Sequence, residues 1–137
     1  MSAPPRVTSD PLLSLAEAAR ERAYAPYSGY RVGAALESTD GQVFVGCNVE
    51  NASYSVTCCA ERSALFAAVS AGARTFRRIV VVASGRGPYP CGACRQALSE
   101  FAPELEVEVV TEDGQRREFT LDRLLPHPFR FEEDDSQ

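Results

Sequence analysis

Apolar and polar positions along the chain fall into short blocks separated by turn residues, and most blocks carry their own start and stop signals. The first, PLLSLAEAARERAYA, follows Asp10. An aspartate as N-cap and Pro11 at the first helical position predict a helix running until Pro26. YRVGAALES, TDG and QVFVGCNVE read as a β-hairpin turned at Asp40-Gly41. A second helix is expected from about Cys59 to Ala71, ended by Gly72. The compact β-branched run RRIVVVAS reads as a central buried strand. A third helix, CGACRQALSEF, is closed by Pro103; LEVEVVT, EDGQ and RREFTL predict a further strand and turn, and DRLLP a short last helix. Helices interleaved with strands, with a hairpin at the front, predict a layered α/β domain built on a mixed sheet.

No repeat or linker divides the pattern, and 137 residues suit one domain over 1–137 with a core large enough to dispense with disulfides. Residues 1–9 and 131–137, the latter holding the acidic tail EEDDSQ, are expected to be flexible. The composition, 45% hydrophobic and 24% charged, is ordinary for a globular protein, and no apolar stretch approaches a membrane span. The start, MSAPPRVTSDP, has no basic end followed by an apolar run, so a cytoplasmic location is expected. A net charge of −5 argues against nucleic-acid partners, and the short basic runs FRR and QRRE read as solvated faces.

The cysteines change the picture. There are five, two of them adjacent, in a chain without an export signal; this favours metal binding or catalysis over a disulfide framework. CCAERSAL crowds Cys58, Cys59, Glu61 and Arg62 before an apolar run, and PCGAC sets Cys91 and Cys94 three apart at a helix start. That spacing brings both sulfurs to one face, and Cys59 would complete three soft ligands suited to zinc. Alone, CxxC also fits a redox pair or half a structural zinc knuckle. A structural site, however, needs a fourth protein ligand; Cys47 and Cys58 are available, but each reads more simply as a small buried hydrophobe. Glu61 is either a first-turn acid favourable to the helix dipole or a general acid/base beside an open metal position. For Glu61 and Cys59 both to reach the metal, Cys59 must stand at the helix entry, before the backbone is regular. Three thiolates and zinc sum to −1, an excess that Arg62 can offset by donating to a ligand sulfur. Asn48 and Glu50 in CNVEN, two apart at a strand end, share a face.

CAE followed by PCGAC resembles the zinc nucleoside and nucleobase deaminases. YSGYRVGAAL, GCNVENASY, CAER, PCGACRQALSEF and LLPHPF, in that order, narrow the likeness to the small single-domain cytidine deaminases, over Ala23 to Phe129. The resemblance implies a three-layer α/β/α sandwich, one zinc held by Cys59, Cys91 and Cys94 with a water in the fourth position, and Glu61 as proton carrier. It implies deamination of cytidine, and of deoxycytidine, in pyrimidine salvage. It places Asn48 and Glu50 on the ribose, and Tyr30, where the family usually has phenylalanine, against the base. Ala60, Tyr54 and Phe129 complete the substrate contacts, Phe129 reaching a neighbouring subunit of a homotetramer. Ala60, Ala64, Ala67, Ala68 and Ala71 permit close helix packing, either in that assembly or internally. His127, the sole histidine, is expected at the surface and outside the chemistry. Two other readings compete: a deaminase of the same superfamily acting on another amino-heterocycle, and a non-enzymatic zinc or redox module. The second leaves Glu61, Asn48 and Glu50 without a purpose.

Overall fold

The computed structural model describes residues 10–85 and 87–131; the expectations for residues 1–9 and for 132–137 fall outside them. In chain order the elements are α1 Pro11–Arg20, β1 Val32–Ser38, β2 Val43–Cys47, a 3-10 turn Tyr54–Val56, α2 Ala60–Ser70 and β3 Phe76–Ala83. α3 Gly92–Ser99, β4 Glu106–Val110, β5 Arg116–Thr120 and α4 Leu121–Leu124 follow. The five strands form one sheet in the order β2-β1-β3-β4-β5. Only β3 and β4 run parallel; the other pairs are antiparallel, so the sheet is mixed.

β3 lies in the middle and is buried on both sides. Its Ile79, Val81 and Ala83 join the larger core with α2, α3 and α4, while Val80 and Val82 pack with Leu12, Leu13 and Ala16 of α1. One strand therefore supplies both cores, which is why its sequence is continuously apolar rather than alternating. The helices on the two faces complete a three-layer α/β/α arrangement. Both edges of this packing depend on missing side chains. A Cβ on Gly33 would stand 2.1 Å from the carbonyl of Ala16 in α1, and one on Gly46 would stand 2.4 Å from the backbone nitrogen of Ala64 in α2. Ala60, Ala64 and Ala68 are fully buried at that second contact. These three small residues serve the internal packing, while Ala67 and Ala71 face outward.

α1 ends at Arg20, earlier than the pattern up to Pro26 predicts. The reason is tertiary. Tyr24 donates its N–H to the Asn48 carbonyl at 3.0 Å and accepts from Glu50 N–H at 2.9 Å, a parallel bridge with Val49. These bonds claim the backbone that a longer helix would need for itself. α2 agrees with its expected bounds to within a residue, and Gly72 at φ +102 closes it.

Asp10 caps α1 by accepting from Leu12 N–H (3.2 Å) and Leu13 N–H (3.4 Å). It also pairs with Arg78 of β3 (3.1 Å) and Arg116 of β5 (2.9 Å), and Glu108 of β4 pairs with the same two guanidinium groups. Burial works against both carboxylates, but Arg116 and Arg78 together outweigh it and hold each below its ordinary value, 3.8 for Asp10 and 4.5 for Glu108. A depressed carboxylate contributes stability above its unfolded pKa and loses it as pH falls through the folded one. Asp10→Ala is therefore expected to cost about 2 kcal/mol at neutral pH, by loss of the cap and of one of the two carboxylates shared by Arg78 and Arg116, which keep Glu108. The difference from wild type should shrink in urea melts below pH 3.8, where the wild-type carboxylate is itself being protonated.

Candidate active site

Two helix entries meet at the sulfurs. Cys59 is the N-cap of α2 and Cys91 the N-cap of α3, both in extended backbone conformation, at φ −74, ψ 158 and φ −72, ψ 173 respectively. Cys59 thus stands just outside the regular helix, where it and Glu61 can serve one space. Cys94, one turn into α3, is fully buried. The separations are 3.8 Å for Cys59–Cys91 and 3.5 Å for Cys91–Cys94, and the three Sγ atoms all lie within 4.8 Å of one another. Two sulfurs bound to one tetrahedral zinc at ordinary bond lengths stand about 3.8 Å apart, so this soft donor set has the spacing zinc requires. Among the described residues these three form the only such group. Cys47 and Cys58 do not join it, and neither is fully buried. Cys47 ends the edge strand β2; Cys58 lies in an isolated bridge with Val49, its Sγ accepting from Ser63 Oγ at 3.7 Å. The reading of both as small buried hydrophobes is corrected to partly buried thiols outside the ligand set.

Arg62, one turn on from Cys59, donates through Nη2 to Cys59 Sγ at 3.5 Å. Its Nε is buried without a partner, alone in this among the described side chains. Hydrogen bonding with Cys94, then with Arg62, pushes Cys59 down to about 5, while the bond to Cys59 and burial raise Cys94. The cluster therefore favours thiolate at Cys59, beside the Arg62 guanidinium. Glu61 is 5% exposed, and burial pushes its carboxyl up to about 7. A cation at the sulfurs would draw that value down, so the group sits where either protonation state is accessible near neutrality.

A depression of about 210 Å³ opens onto this cluster, lined by Tyr30, Val32, Asn48, Thr57, Cys59, Ala60, Glu61, Pro88, Tyr89 and Cys91. A second, of about 300 Å³, is lined by Tyr27, Ser28, Glu50, Asn51, Tyr54 and Thr57. Thr57 belongs to both, so the two adjoin. A larger depression, about 580 Å³, shares no residue with either; it lies among Arg78, Glu106, Glu108, Glu118 and Arg123, where Arg78 and Glu108 are already paired. Chemistry, not size, marks the site.

Asn48 lines the first depression and is committed to backbone, accepting from Val32 N–H at 2.9 Å and donating to the Tyr30 carbonyl at 2.8 Å. One amide hydrogen and one lone pair remain beyond those bonds. Glu50 opens onto the second depression. The Ser28 hydroxyl and the N–H groups of Tyr27 and Ser28 bond its carboxylate and hold it below the usual range. Tyr54 is 78% exposed at the rim of that depression. Phe129 lines neither; it is exposed, with its backbone N–H and carbonyl both bonded to the Gln96 side chain. His127 is exposed. Motif and periodicity do not mark Thr57, Pro88 and Tyr89 as pocket residues. The available signal was proximity: Thr57 is two residues before Cys59, and Tyr89 two before Cys91.

An α/β/α sandwich that gathers three sulfurs at two helix entries, two of them lining one pocket with a buried carboxylate, defines a zinc-site protein with acid/base capability. Residues 7–110 match the family model described as the cytidine and deoxycytidylate deaminase zinc-binding region. The chain belongs to that family. It is 48% identical over 124 residues to a cytidine deaminase of Sporosarcina psychrophila, covering 89% of this chain and 91% of that one. A cytidine deaminase of Halalkalibacterium halodurans is also 48% identical over 124 residues, covering 89% and 94%. Among solved structures, the cytidine deaminase of Burkholderia pseudomallei superposes with a TM-score of 0.83 at 53% identity, covering 87% of this chain and 97% of that one.

Arg62 carries a prediction of its own. Arg62→Gln removes the guanidinium bonded to the sulfur cluster, the only one among the described residues, and zinc affinity or kcat should fall on the order of 10–100-fold, the usual weight of a group bonded to a metal ligand. Competition with a chromophoric chelator reads the first, steady-state kinetics the second; wild-type values for both would refute the role.

Proposed function

We propose that this chain catalyses the hydrolytic deamination of cytidine, and of 2′-deoxycytidine, to uridine or 2′-deoxyuridine and ammonia. Cys59, Cys91 and Cys94 hold one zinc ion. Bound zinc supplies Lewis acidity, which brings the pKa of a water to roughly 7. The observation that carries the reading is Glu61, buried in the pocket wall beside the sulfurs, with its carboxyl near 7 and no ion pair to occupy it among the described residues.

Glu61 takes a proton from the attacking water and delivers it to N3 of the pyrimidine as oxygen adds at C4. It then takes the remaining proton from the new C4 hydroxyl and passes it to the exocyclic amino group, and the C4–N bond breaks with loss of ammonia as the C4 carbonyl forms. Water is consumed, one carbonyl replaces one amine, and Glu61 returns to its starting state. A positioned acid/base of this kind contributes about 10²–10⁴-fold. Ala60 and Tyr30 bound the base, while Asn48, held by the backbone of Val32 and Tyr30, turns its remaining hydrogen-bonding capacity to the ribose. Glu50 accepts from ribose hydroxyls, and its fixed negative charge opposes a substrate phosphate, which selects nucleosides over nucleotides.

Tyr54 and Phe129, exposed in one chain, contact substrate or subunit neighbours in a homotetramer with shared sites. The chain acts as one domain over 1–137, in the cytoplasm, in pyrimidine salvage. Its described helices include none long and apolar enough to cross a membrane. The test is ultraviolet absorbance on a panel of nucleosides, free bases, nucleotides and single-stranded DNA, beside metal analysis. Turnover of cytidine and deoxycytidine alone, with one equivalent of zinc per chain, supports the proposal; turnover of a free base or a nucleotide in preference to cytidine overturns it.

A further inference from the structure

We infer that Tyr89 is a specificity-determining residue, its ring closing the base pocket and setting which substituents on the C5–C6 edge of a pyrimidine the enzyme accepts. The inference rests on the deaminase reading above. Two chain segments meet at the sulfurs: the entry to α2 brings Cys59 and Glu61, and the segment before α3 brings Tyr89 and Cys91. The reacting carbon C4 must lie at the sulfur cluster, and N3 must face Glu61 to receive its proton. The sugar on N1 must point towards Glu50, in the depression joined through Thr57. These requirements leave the C5–C6 edge for the other segment, where Tyr89 is the large side chain.

The ring is held in place by groups outside the pocket. A Cβ on Gly87 would stand 2.7 Å from its Cε2, so the bare glycine backbone packs directly against one side. Phe119 of β5 meets it edge-on, with centroids 5.8 Å apart and planes at 63°. Yet Tyr89 is 44% exposed, so this packing does not bury it in the core. A glycine backing and an aromatic prop around a half-exposed ring make a fixed wall. Neither Gly87 nor Phe119 lines the pocket, so the wall can be disturbed without altering the groups that carry the chemistry.

The experiment measures kcat/KM for 5-bromocytidine and for cytidine with the zinc-loaded enzyme, and reads their ratio. Each preparation is its own reference, so a loss of folded fraction cancels. Tyr89→Ala should raise the ratio on the order of tenfold, the scale at which pocket space for a small substituent is discriminated. Tyr89→Phe keeps the ring and should leave the ratio within about twofold of wild type. Gly87→Ala, which displaces the ring without entering the pocket, should change the ratio by more than about threefold. An unchanged ratio in Tyr89→Ala, with wild type active on cytidine, overturns the inference. A phenylalanine variant as permissive as the alanine one also overturns it, because the hydroxyl and not the ring would then decide. Wild type inert on cytidine would instead overturn the proposed function.

Discussion

Glu61→Gln is expected to abolish turnover, lowering kcat by at least about 10³-fold, while zinc stays bound at one equivalent. The substitution keeps the shape and removes the ionisable proton site, and the three sulfurs are untouched. Stopped assays with long incubation, beside metal analysis of the same sample, check both halves. Normal turnover by the variant would remove Glu61 from the mechanism. A thermodynamic signature should accompany the kinetic one. Burial holds the carboxyl at about 7 against an ordinary 4.5, so folding favours its protonated form. That contribution is fully present below pH 4.5 and is lost as pH rises through 7. In chelator-stripped protein at pH 8, Glu61→Gln should therefore be the more stable by about 3 kcal/mol. Below pH 4.5 the advantage should vanish in denaturant melts.

Cys94→Ala should cost the enzyme its metal. Removing the fully buried sulfur leaves Cys59 and Cys91, at the two helix entries, 3.8 Å apart. Loss of a group merely bonded to a metal ligand costs about 10–100-fold in affinity, so loss of a ligand should exceed 100-fold. Turnover should fall with it. Wild type should gain about 2.7 kcal/mol of stability when free zinc is a hundred times its dissociation constant, and the variant should gain less than about 0.4 kcal/mol under the same conditions. Cys58→Ala and Cys47→Ala, outside the cluster, should keep both zinc and the thermal shift. Zinc retained by Cys94→Ala and lost by Cys58→Ala would mean that the wrong sulfurs have been assigned.

Some parts of the molecule announce themselves locally. Asp10 before Pro11, Gly41 in the hairpin turn and Gly72 behind α2 act through the backbone conformation of a few neighbours, so reading them in order locates the elements. The doubly apolar run of β3 is similarly plain, because a strand covered on both faces has no polar side to show. The thiols were separable into ligands and bystanders only as far as spacing reached: Cys91 and Cys94 lie one helical turn apart, whereas Cys59 is joined to them through space. The end of α1 at Arg20 is set instead by the Tyr24 backbone, which pairs with Asn48 and Glu50 in a competition invisible to local propensity.

The order of residues alone determined where helices and strands begin, which residue types could bind a soft metal, and that a carboxylate accompanies them, since each follows from chain-local chemistry. Only the folded chain decided that Cys59 stands outside its helix, that Glu61 is buried enough to hold a proton near neutrality, and that Asn48 and Glu50 open onto adjoining depressions. It alone placed Tyr89 between Gly87, Phe119 and the pocket. Desolvation and contact between distant segments are properties of three-dimensional packing, and no spacing along a chain encodes them directly.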